Sequence, residues 1–72
     1  MAGRTLQSGV HIARTDTELL PDGLFEARVF VRLAREPELA ETYIPAGMFP
    51  TEEEALRAAE ERATRALREQ EF

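Results

Sequence analysis

At 72 residues and 8.1 kDa, with a formal net charge of -5, the chain has room for one small acidic domain. It has no Cys, its nine basic residues are all Arg, and His11 is its single His. These absences exclude disulfides, thiolate metal sites, a Cys nucleophile, Schiff-base chemistry and a P-loop, and a His-pair metal site would need a second chain.

No apolar run approaches the ~18 residues of a membrane span, and residues 1–9 lack the apolar centre of a signal peptide. A cytoplasmic protein with no membrane partner is expected. Hydrophobic residues make up 43% of the chain, but many are Ala and bury little. So small a domain is marginal by itself, and self-association is the expected remaining device for stabilising it.

Residues 1–9 are polar and unpatterned, and are expected to be a flexible N-terminal segment preceding one domain over 10–72. Val10, His11, Ile12, Ala13, Arg14 and Thr15 alternate weakly and predict a first strand. Leu20-Pro21-Asp22-Gly23 is turn chemistry: Pro presets φ, Asp bonds the backbone ahead, and Gly accepts positive φ. In the next segment Phe25, Ala27, Val29, Val31 and Leu33 hold every second position, with Glu26, Arg28, Phe30 and Arg32 between them. Period two predicts a strand with the first set on one face and the second on the other, joined to the preceding strand as a hairpin.

Arg35-Glu36-Pro37-Glu38 breaks the pattern, since Pro37 has no N–H for a ladder. Residues 39–44 are expected to return as a shorter third strand with Ile44 inward, ended by Pro45 and Gly47. Thr51-Glu52-Glu53-Glu54 then reads as a capping box opening a helix that runs to Gln70. Along that helix Ala55, Leu56, Ala59, Ala63, Ala66 and Leu67 fall on an arc of roughly 120°. A stripe so rich in Ala must lie close to whatever it covers.

The assembled expectation is an α+β fold of β-β-β-α order: a three-stranded antiparallel sheet with one C-terminal amphipathic helix on one face. Phe25, Val29, Val31, Leu33, Ile12 and Ile44 would pack under Leu56, Ala59, Ala63 and Leu67. The other face would carry Arg28, Phe30 and Arg32, with His11 and Tyr43.

Two stretches resemble known domains. Leu20-Pro21-Asp22-Gly23-Leu24-Phe25-Glu26-Ala27-Arg28-Val29, followed by Phe49-Pro50-Thr51-Glu52-Glu53-Glu54-Ala55, is similar to a group of small uncharacterised bacterial domains. That resemblance spans roughly residues 10–70; it implies the β-β-β-α arrangement and assigns no activity. Met48 to Leu56 also resembles the acidic-start, Ala-rich helix of HicB-type antitoxins. The DNA-binding segment of that family has no counterpart before Phe72, so its DNA binding does not carry over.

Chemistry finds little purchase. A general base at His11 would need a nucleophile or an orienting carboxylate nearby, and only Asp16 and Asp22 are close in sequence. The carboxylates Glu52, Glu53, Glu54, Glu60 and Glu61 belong to a solvated, Arg-flanked helix face, not to a cleft that would split their pKa values. Gly47 without a following Gly-Lys is a hinge. No enzyme, catalytic residue, cofactor, metal site or small-molecule substrate is expected.

Arg28, Phe30, Arg32, His11 and Tyr43 are the candidate interface, because Phe and Arg suit interface cores. The expected function is a non-enzymatic protein-interaction module, a homodimer through the outer sheet face or a sheet edge. The alternative is an antitoxin-like or regulatory partner of a basic protein, steered by Glu52, Glu53, Glu60 and Glu61. A sheet that stacks single-stranded nucleic acid ranks below both, since the net charge of -5 opposes a polyanion.

Overall fold

The computed structural model describes residues 3–33 and 41–69. Four strands, β1 (Arg4–Ser8), β2 (His11–Leu19), β3 (Phe25–Leu33) and β4 (Thr42–Phe49), form an antiparallel meander in the order β1-β2-β3-β4. Helix α1 (Glu52–Glu69) packs across one face. The class is the expected α+β, but the sheet has four strands, not three.

The additional strand comes from the segment expected to be flexible. Gly9 (φ 60°) and Val10 form a two-residue loop, placing Ser8 opposite His11 and Leu6 opposite Ala13. Leu6 is the one large apolar residue of β1 and faces the helix. Gly3 explains the close approach of the chain just before β1, since a Cβ there would sit 2.5 Å from the Thr15 carbonyl oxygen.

The Pro-Asp-Gly turn forms as its chemistry dictates. The Gly23 N–H donates to the Leu20 carbonyl at 3.0 Å, and the Leu24 N–H donates to Asp22 Oδ1 at 3.1 Å. Gly23 has φ 90°, the left-handed conformation that a side chain would resist. In β3 the odd positions Ala27, Val29 and Val31 are buried, and Phe25 and Leu33 are half-buried at the ends.

Two expectations about the flanking strands are corrected. Neither Pro45 nor Gly47 ends the final strand; β4 continues through both to Phe49. Pro45 can be accommodated because β4 is an edge, where one N–H has no ladder partner to find. The pairing shifts register between Glu26 and Arg28, and Gly47 at φ 102° lets the strand resume, with Phe49 opposite Phe25. Pro37 and Leu39 lie outside the described residues.

The second correction concerns the parity of β2. Ile12 lies opposite Arg32 on the face away from the helix, while His11 lies opposite Leu33 on the helix face. The inward set of β2 is Ala13, Thr15 and Thr17, all at most 3% exposed. The two threonines sit in the core because their hydroxyls find partners: Thr15 Oγ1 accepts from the Arg4 N–H at 2.9 Å and donates back to the Arg4 carbonyl at 3.3 Å. Thr17 Oγ1 donates to Glu52 at 3.2 Å.

Helix α1 begins as expected. The Glu54 N–H donates to Thr51 Oγ1, and that hydroxyl donates to the Glu54 carboxylate, both at 3.2 Å. Ala55, Ala59, Ala63, Ala66 and Leu67 are buried, whereas Leu56 is half-buried at the margin. The core is thus Ala against Val, Thr and Ile, a close contact of small side chains.

Candidate functional site

The outer sheet face gathers its residues by strand alternation. Cross-strand pairing sets Arg14 beside Phe30 and Phe30 beside Tyr43 in one row, with Asp16, Arg28 and Pro45 in the next. Four of the five residues expected on this face, Arg28, Phe30, Arg32 and Tyr43, are there. His11 is not: it stands on the helix side of β2, and Ile12 takes the outer place.

Phe30 is the centre. The Tyr43 ring lies 5.4 Å away and tilted by 36°. Two guanidinium groups flank the same Phe30 ring, with Arg14 Cζ 4.4 Å and Arg28 Cζ 5.7 Å from its centroid.

Both cations are held by carboxylates. Arg28 grips Asp16 as a fork, Nε to Oδ1 at 2.7 Å and Nη2 to Oδ2 at 3.1 Å, and its Nη1 donates to Glu18 at 3.0 Å. Arg14 forks onto Glu41 at 2.9 and 3.4 Å and also reaches Asp16 at 3.2 Å. Asp16 therefore bridges the two arginines. The pKa of Arg14 is raised above its ordinary value chiefly by the hydrogen bond to Glu41, and that of Arg28 chiefly by the hydrogen bond to Asp16. Both stay charged at any physiological pH.

Tyr43 is tied in from the opposite side. Its hydroxyl donates to Glu26 Oε2 at 2.7 Å, and this bond is the main reason its pKa lies above the ordinary phenol value. Arg32, nearer the corner, donates to the Leu33 carbonyl at 3.4 Å. The face thus holds Arg14, Arg28 and Arg32 against Asp16, Glu18, Glu26 and Glu41, a mixed rather than basic surface.

Sequence reasoning missed Arg14, Asp16, Glu18 and Glu41. The signal lay in β2 itself, where Arg14, Asp16 and Glu18 alternate with Ala13, Thr15 and Thr17. Among the described residues no group of three His, Asp or Glu is arranged to hold a metal ion, and no helix is long and apolar enough to cross a membrane. Comparison with protein-family models, with curated proteins and with solved structures finds no match.

Proposed function

We propose that this chain is a non-enzymatic, self-associating protein-interaction module that works through its outer sheet face or a sheet edge. The observation carrying this reading is the character of the outer face: an aromatic pair, Phe30 and Tyr43, inside a frame of arginines fixed by carboxylates. Aromatic residues and Arg are the types enriched in protein interfaces. Tyr43 is 44% exposed and Met48, further along β4, is 59% exposed, so apolar surface remains in view of solvent.

The same pairing argues against nucleic acid. Binding to a phosphate backbone draws on cations whose counterions can be released. Arg14 and Arg28 already spend their charge on Asp16, Glu18 and Glu41. The acidic helix face is also partly used within the fold, since Glu52 accepts from Thr17 and Glu60 pairs with Arg4 at 3.3 Å. That weakens the reading as a partner steered to a basic protein.

Sedimentation velocity over a concentration series tests the proposal. A species of twice 8.1 kDa at high micromolar concentration is expected, with no change in fluorescence anisotropy of single-stranded oligonucleotides. A monomer throughout the series overturns it.

A further inference from the structure

Among the described residues, the two edges of the sheet are not alike. β4 carries Pro45, which has no N–H, together with a register shift and a positive-φ Gly47. Those are the devices by which a sheet blocks the approach of another strand. β1 has none of them: Arg4–Ser8 pairs with β2 residue by residue, with no Pro and no bulge.

Alternation of the ladder then says which backbone groups are open. Ser8 and His11 close a two-residue loop and exchange backbone bonds, as do Leu6 and Ala13 two residues on. Thr5 and Gln7, at the intervening positions, point their N–H and C=O groups away from β2.

We infer that β1 is the self-association edge, pairing antiparallel with β1 of a second copy about a twofold axis at Leu6, to give one continuous eight-stranded sheet. The inference rests on the self-association proposed above and assigns it to this sheet edge in place of the Phe30 face. Within Arg4–Ser8 this register matches both open residues with each other: Thr5 exchanges both bonds with Gln7 of the second copy, and Gln7 does the same with its Thr5. Centring the axis on Thr5 or on Gln7 pairs one of them with itself and sends the other beyond Arg4–Ser8, to Gly3 or to the turn residue Gly9.

The side chains agree with that register. Arg4 falls opposite Ser8, so no like charges meet. Thr5 and Gln7 meet on the outer face, and the two Leu6 side chains meet on the helix face. Leu6 is half-buried and lines a groove of about 300 Å³ together with Thr64, Leu67 and Arg68. Leu6 of the second copy extends that apolar contact, adding core volume to a domain whose own helix stripe is mostly Ala.

Backbone amide exchange of the unaltered protein, at concentrations where its mass is doubled, is the primary test. Thr5 and Gln7 amides are expected to be protected there and to lose protection on dilution. Gln7→Pro removes an N–H that β2 does not use, so it should keep the helical circular dichroism signal while weakening the dimer at least about tenfold. A dimer with unprotected Thr5 and Gln7 amides, or one whose affinity is unchanged by Gln7→Pro, overturns the β1 assignment and leaves self-association standing. A chain that never doubles its mass overturns both.

Discussion

Strands β2 and β3 are neighbours of equal length, nine residues each, and they achieve burial in opposite ways. β3 places Ala27, Val29 and Val31 under the helix and announces it by an apolar residue at every second position. β2 places Ala13, Thr15 and Thr17 there, sets Ile12 on the other side, and leaves its other large aliphatic residue, Leu19, exposed at its end. An Ala-rich helix can approach closely only where the facing side chains are small, so β2 keeps its inward positions small and satisfies its hydroxyls with Arg4 and Glu52. Hydrophobicity therefore identifies the inner face of one strand and misidentifies that of the other; size and hydrogen-bond satisfaction identify both.

The sharpest way to break this comparison is to enlarge the helix stripe. Ala59→Leu forces added volume into a contact made of small side chains and should cost about 1–3 kcal/mol in urea unfolding. If the cost were negligible, the helix would not lie as close as the core composition requires.

Thr15→Val keeps the shape of the side chain but removes the hydrogen bonds to the Arg4 N–H and carbonyl. A loss of about 1–2 kcal/mol is expected, with faster amide exchange in β1 than in β3. Equal acceleration in both strands would mean that Thr15 serves the core alone and does not tie down the edge.

On the outer face the effects are smaller. Asp16→Asn removes the carboxylate shared by Arg14 and Arg28, whose side chains are 45% and 29% exposed. About 0.5–1 kcal/mol should be lost at low salt, and the difference from the unaltered protein should narrow as salt is added. A large loss insensitive to salt would make this ion pair network part of the core.

The smallest effect is at Tyr43. Its folded pKa is raised, so the neutral phenol donating to Glu26 contributes fully below the ordinary value of about 10, and that contribution is lost as pH rises through the higher folded value. Urea midpoints measured from about pH 8.5 to 11 should fall more steeply for the unaltered protein than for Tyr43→Phe. Parallel curves would show that the hydroxyl contributes nothing to folding.

Much of this fold is legible in the residues. The Pro-Asp-Gly turn, the alternation of β3 and the Thr51 capping box are local signals, each with its own chemistry, and each forms as that chemistry dictates. What escaped depends on position in the sheet. β1 has one large apolar residue, Leu6, which cannot set up an alternating pattern alone, and its close packing depends on Gly3 meeting the Thr15 backbone. β4 contains a Pro and a Gly that would stop a central strand, and only its place at an edge makes them tolerable.

The candidate site follows the same division. Arg28, Phe30 and Arg32 were placed by β3 alone and stand where that strand puts them. His11 was placed through β2, whose parity is set by small and hydroxyl side chains, and it lies on the opposite face. The carboxylates that fix the arginines come from β2 and from Glu41, so the mixed charge of the face could not be read from β3.

The division of β2 into an inward small set and an outward Ile12 carries the rest, and methyl relaxation by a soluble paramagnetic agent tests it most directly. The Ile12 methyls should relax strongly while those of Ala13, Val29 and Val31 remain protected. Protection of Ile12 together with strong relaxation of Ala13 would put the opposite face of β2 under the helix and contradict the account.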